Sequence, residues 1–264
     1  MGEVPSTDTF AVIIDTLTAD ARRAVTEKIA AQPGLTKDER DALAREAGRA
    51  LHDSAERKLN RVLLLELHAA KLSGQLTAAD EQGKFRQFLE LATAASFKDA
   101  LRRRYPVLEE RLGRTLAQQG EAVVRLAQRV ADDRDRLSAL LGRPAGALRA
   151  ARLGEGDVHD GGQTVAQLDF DGGKVMYKPR SLRVDAALEG FLERILAGRE
   201  QRIRVPAVLD RGDYGWTAFA EHRYCADDAE LTAFYRNIGH WLAVMRLLGG
   251  TDIHYENLIA CGPV

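Results

Sequence analysis

From Asp8 to about Gly142 apolar residues recur at three- and four-residue intervals, the signature of helices that bury one face. Asp8 to Ala30 reads as a first helix, stopped by Pro33-Gly34. Thr36 opens a second in capping-box spacing with Glu39. Leu59, Val62, Leu63, Glu66 and Leu67 continue its stripe to Leu72, where Ser73-Gly74 ends it. A third helix is expected from Thr77 to Ala95, and a long fourth from Pro106 through Val124 and Leu137 to near Gly142. Ala, Leu, Arg and Glu dominate this half, and β-branched runs are scarce.

The grammar changes near residue 150. Gly154, Gly156, Gly161 and Gly162 crowd together, followed by the strand Val165–Phe170 and the turn Asp171-Gly172-Gly173. Lys174–Lys178 returns as a second strand, and Pro179 stops it because proline cannot donate to a ladder. Asp185 to Leu196 has helical spacing, Ile203–Leu209 and Trp216–Glu221 read as strands, and Arg211–Gly215 between them reads as a turn. Leu231, Phe234, Tyr235, Ile238, Leu242, Met245 and Leu248 step by three and four into Gly249-Gly250. The expected class is α+β: a helical region over 1–150, then a mixed region over 151–264.

Composition narrows the function classes. A 45% hydrophobic and 29% charged chain of 264 residues can build a substantial core. Its net charge of -1 gives no general attraction to nucleic acid or acidic membranes. Arg102-Arg103-Arg104, the one basic run, reads as a solvated helix face. Cys225 and Cys261 lack CxxC partners, which argues against a zinc site or disulfide framework and suits a reducing cytoplasm. No apolar run reaches the length of a membrane span.

The densest chemistry is the loop Gly250-Thr251-Asp252-Ile253-His254-Tyr255-Glu256-Asn257. Asp252 and Asn257 have the offset between the base-like Asp and metal-binding Asn of a kinase catalytic loop. In that chemistry Asp252 orients or deprotonates a hydroxyl, His254 stabilises the loop or assists Asp252, and Asn257 holds Mg²⁺. Lys178, at a strand end, is placed to reach ATP phosphates. Its carboxylate partner on the following helix is Glu189, with Glu193 and Asp185 as alternatives. Asp157 and His159 lie in the glycine-rich stretch, where glycines let backbone approach phosphate closely. Glu221, His222 and Arg223 fall where a hinge would offer backbone groups to adenine.

Gly156-Asp157-Val158-His159, Val175–Leu182 with its YKPRSL, Trp216 through Glu221-His222, and Thr251–Ile259 together resemble the dehydratase domain of class II lanthipeptide synthetases, the LanM enzymes. The resemblance covers about 150–264 with specific motifs; for the helical half it is one of length and character. It implies a kinase-like core related to lipid kinases, comprising a small lobe and the start of the large lobe. The activity it implies is ATP- and Mg²⁺-dependent phosphorylation of Ser and Thr in a leader-bearing precursor peptide, then phosphate elimination to dehydroalanine or dehydrobutyrine. Asp252, His254 and Asn257 would serve phosphorylation; Lys178, Asp157 and His159 would serve elimination. The family's Asp-Leu-Glu metal motif, its later Arg and Thr, and its zinc cyclase are not within 1–264. The chain is therefore expected to be an N-terminal part of such an enzyme, inactive in complete dehydration by itself. Two alternatives remain: a small-molecule kinase of the aminoglycoside or choline type, and a non-catalytic module binding nucleotide or leader peptide.

Overall fold

The computed structural model describes residues 9–156, 160–199, 201–251 and 257–264. The chain divides into two compact units, Met1–Asp133 with Ala147–Thr164, and Arg134–Gly146 with Val165–Val264.

The first unit is helical. It contains α1 (Ala11–Ala30), α2 (Lys37–Leu72), α3 (Glu81–Thr93), α4 (Ala95–Arg104) and α5 (Pro106–Asp132). The periodic stripes become its core: Ile13, Ile14 and Ile29 of α1, Leu43, Leu51, Leu59 and Leu63 of α2, and Leu126 and Val130 of α5 are all buried. The Thr36 capping box forms as expected, with Thr36 accepting from the Glu39 N–H and Glu39 accepting from the Thr36 N–H. Two breaks were not legible. Thr77 starts no helix; its N–H and that of Ala78 go to Gln87 Oε1, and Asp80 caps α3 instead. Ala94, in an extended conformation, separates α3 from α4. Likewise α5 stops at Asp133 although no Gly or Pro marks the place.

A strand that the sequence reading lacked, β1 (Leu148–Leu153), lies on α2. Side chains one heptad apart on that helix catch its backbone. Glu39 Oε1 accepts from the Leu148 N–H at 2.8 Å and Glu46 Oε1 from the Leu153 N–H at 2.6 Å. Arg49 donates to the Leu153 carbonyl at 3.3 Å. Glu39 is 1% exposed, so its two oxygens serve both the helix cap and the strand, leaving neither N–H unsatisfied.

The second unit contains α6 (Arg134–Leu141), β2 (Ala166–Phe170), β3 (Gly173–Lys178), α7 (Arg183–Ile195), β4 (Val208–Asp210), β5 (Gly215–Ala218) and α8 (Asp228–Leu248). Its strands run in the order β2-β3-β5-β4, each neighbouring pair antiparallel. The expected hairpin is present, with Phe170 opposite Gly173. The strand expected over 203–209 is confined to Val208–Asp210. Tyr177, Tyr214 and Trp216 form an aromatic cluster, the Tyr177 and Trp216 centroids 5.1 Å apart. Leu192, Leu196, Ile203 and Val244 make a smaller core that joins α7 to α8. Gly249, left-handed at φ 68°, ends α8 as its position predicted. The architecture is α+β at this level.

Candidate functional site

The site is assembled at one end of the sheet. Lys178 of β3 is in register with Gly215 of β5, which is in register with Asp210 of β4. Period-two alternation sets these three residues on one face, opposite to Tyr177 and Trp216. The segment after Lys178 is clamped over that row. Asp210 Oδ1 accepts from the Leu182 N–H at 2.7 Å and from Ser181 Oγ at 3.1 Å. Arg180 makes a fork to Asp185, at 2.7 and 3.2 Å. Leu182 is fully buried against Gly215, where an added Cβ would meet Leu182 Cδ1 at 2.5 Å. The YKPRSL motif thus does a structural job residue by residue: it presents a lysine and locks the turn behind it.

Lys178 is half-buried. Burial lowers its pKa below the ordinary lysine value; the charge of Asp185 works against that, and Arg180 lowers it further. Among the described residues no carboxylate hydrogen-bonds to its ammonium. The expected Glu189 partnership is corrected here. Glu189 Oε1 accepts from Arg202 at 2.5 Å and Oε2 from the Val205 N–H at 2.7 Å. Burial raises the Glu189 pKa, but these hydrogen bonds and the charges of Arg202 and Arg204 outweigh it and hold the carboxyl below its ordinary value. Asp185 is the carboxylate whose field reaches Lys178.

At the expected hinge, Glu221, His222 and Arg223 are exposed. The Glu221 carbonyl accepts from Cys261 Sγ at 3.0 Å, and the His222 ring stands edge-on to Tyr224 at 4.7 Å. Arg223 is not available as supposed. Its N–H donates to the Ala260 carbonyl at 2.9 Å and its carbonyl accepts from the Gly262 N–H at 2.7 Å. Its guanidinium forks onto Glu230, both contacts at 3.0 Å. Arg223 is therefore a tie to the 260–262 segment, not an adenine contact.

Asp157, His159, Asp252 and His254 lie outside the described residues. Asn257 is described and exposed. The glycine-rich stretch has a packing role that sequence reasoning missed. Gly162, at φ +76°, lies so close to α5 that an added Cβ would meet Gln119 N at 2.7 Å and Gln118 C at 2.9 Å. That glycine answers to a neighbouring helix backbone. Among the described residues, no group of three or more His, Cys, Asp or Glu is arranged to hold a metal ion. No helix among them is long and apolar enough to cross a membrane.

Residues 105–264 match the family described as a domain of unknown function, DUF4135, and the chain belongs to that family. The domain is found in LanM-type proteins, in agreement with the motifs around Lys178 and Asn257. A curated relative is the lacticin 481/lactococcin biosynthesis protein LcnDR2 of Lactococcus lactis subsp. lactis. It is 31% identical over 117 residues, which cover 41% of this chain and 13% of the relative. The match thus spans about an eighth of that protein's length.

Proposed function

We propose that this chain acts in lanthipeptide biosynthesis as part of a kinase-like dehydratase, phosphorylating Ser and Thr of a precursor peptide and then eliminating phosphate. The family membership and the relative's role in lacticin 481/lactococcin biosynthesis support the pathway. The observation that carries the chemistry is Lys178: a partly desolvated ammonium at a clamped sheet end, with no hydrogen-bonded carboxylate among the described residues. Such a group fits an anionic oxygen, so the residues present are compatible with a phosphate there.

Bound ATP–Mg²⁺ would supply the phosphoryl group and the positive charge that offsets its oxygens. Lys178, charged, holds a phosphate oxygen. Asp252 would accept the proton of the attacking hydroxyl, His254 would support that loop or assist Asp252, and Asn257 would help hold Mg²⁺ through its carbonyl oxygen; these roles follow from the motif. In the second step Lys178, neutral, takes the α-proton of the phosphorylated residue. The electron pair left at Cα forms the Cα=Cβ bond as the Cβ–O bond breaks and phosphate departs with its electrons. A lysine with a lowered pKa suits that step, because more of it is neutral near pH 7 than in an ordinary lysine. Asp157 and His159, in Gly156-Asp157-Val158-His159, are assigned to elimination by the family resemblance. The two free cysteines accord with a cytoplasmic setting.

The test is mass spectrometry of a Ser/Thr-rich precursor peptide encoded beside this chain, after incubation with the full gene product that carries these residues, ATP and Mg²⁺. A peptide that gains phosphoryl groups, or loses water, with wild type and not with Asp252→Ala supports the reading. Lys178→Ala is expected to accumulate phosphorylated peptide in place of dehydrated peptide. Phosphate on a small molecule, with the peptide unchanged, would overturn the reading in favour of a small-molecule kinase.

A further inference from the structure

The second unit has a basic cavity that shares no residue with the site around Lys178. It has a volume of about 440 Å³ and is lined by Arg199, Gln201, Ala233, Arg236, Asn237 and His240. Ala233, Arg236, Asn237 and His240 fall at i, i+3, i+4 and i+7 of α8, a single stripe, with Arg199 and Gln201 facing them.

Asn237 is the fixed point of this wall, at 4% exposure. Its amide donates to the Gln201 carbonyl at 2.8 Å and to the Pro263 carbonyl at 2.7 Å. With both amide hydrogens used, Oδ1 is left to accept, and His240 Nδ1 lies 3.2 Å from it. That assigns the proton to His240 Nδ1 and leaves Nε2 as a hydrogen-bond acceptor, able to take the P–OH of a partly protonated phosphate.

The charge is unbalanced. Arg180, Arg202 and Arg223 of the same unit are each paired with a carboxylate. Arg199 and Arg236 are exposed, and among the described residues neither meets one. No carboxylate lines the cavity among those residues; Glu200 lies outside them. Two guanidinium forks supply donors for a phosphate oxygen set, and the oriented imidazole supplies an acceptor for its P–OH. The volume falls in the range of pockets that hold small organic ligands, so a phosphoryl group carried on a larger molecule also fits.

We infer that this cavity is a phosphate-binding site, gripped by Arg199 and Arg236 and completed by Gln201 and by His240 Nε2 as the acceptor of a P–OH. The inference stands apart from the role of Lys178. It is tested by titration calorimetry of the 264-residue chain with inorganic pyrophosphate and with O-phosphoserine. The proteins are wild type, Arg236→Gln, Arg199→Gln/Arg236→Gln, Arg236→Lys and Lys178→Gln. Both arginines are exposed, so the variants are expected to keep the wild-type Tm. The double variant should weaken binding by about tenfold or more. Arg236→Lys should recover part of the loss of Arg236→Gln, and the arginine-dependent component of binding should persist in Lys178→Gln, which removes only what binds at the sheet end. Pyrophosphate binding alone would identify a free anion as the ligand. Arginine-dependent phosphoserine binding would identify a phosphorylated side chain. Undiminished affinity in a folded double variant, loss confined to Lys178→Gln, or no saturable binding of either probe to wild type would overturn the proposal.

Discussion

Gly162 separates two explanations of the glycine-rich stretch. If its glycines serve only a bound phosphate, replacing any of them with alanine costs the unliganded chain little more than the left-handed backbone penalty. The structure gives a different expectation. Gly154 and Gly162 both have positive φ, +85° and +76°, so either alanine pays roughly 1–2 kcal/mol for that conformation. Around Gly154 an added Cβ meets nothing within 4 Å. At Gly162 it meets the backbone of Gln118 and Gln119 at 2.7–2.9 Å, and backbone cannot rotate away. Forcing that contact apart costs roughly another 1–3 kcal/mol, typical of overpacking. Gly154→Ala should therefore lose about 1–2 kcal/mol and Gly162→Ala about 2–5 kcal/mol. Urea denaturation followed by helical circular dichroism measures the difference as a lower midpoint at unchanged slope. Equal losses for the two variants would refute the packing argument. So would recovery of Gly162→Ala to wild-type stability in the absence of any phosphate ligand.

The remaining expectations concern the charges around the sheet end. Lys178 has a folded-state pKa below its unfolded value, so the unfolded chain binds more protons between the two. Stability attributable to this group therefore rises with pH through that window, and Lys178→Met should flatten the rise in denaturation experiments run up to about pH 10.5. A wild-type curve with the opposite slope, restored by the methionine, would contradict its desolvation. Glu189→Gln should lower stability by about 1 kcal/mol, a figure reduced for partial exposure, through its contacts with Arg202 and Val205. The Glu189 pKa is held below its ordinary value, so this contribution is present above the unfolded pKa and is lost as pH falls through the folded one. ATP–Mg²⁺ affinity should stay at the wild-type level; a large drop in nucleotide binding at unchanged Tm would instead reinstate a Lys178–Glu189 partnership.

What the sequence determined by itself was local. The apolar stripes of α1 and α2, the extent of α8 (though not its buried face, which is Ala233, Asn237 and Val244 while Leu231, Tyr235, Leu242 and Leu248 are exposed), the Thr36–Glu39 capping box, the hairpin across Gly172-Gly173 and the Gly249 stop depend on residues within a few positions of one another. Helical and strand periods, capping chemistry and left-handed glycine carry that information directly. The same holds for the YKPRSL and TDIHYEN motifs, whose residue types and spacing carried the family resemblance without placing a single atom. The tertiary structure decided the partners. Glu189 and Glu193 are equivalent on a helical wheel, and nothing local tells Glu189 that Arg202 and the Val205 N–H will arrive beside it. Arg223 gives its backbone to a segment nearly forty residues later in the chain. β1 escaped notice because the groups that satisfy its ends, Glu39, Glu46 and Arg49, sit on a helix about a hundred residues earlier. Gly162 and Gly215 are required by Gln119 and Leu182, neighbours only once the elements have docked. Conformational preference is written over a few residues. A charge or a small side chain acquires its particular use only when packing brings up what lies opposite.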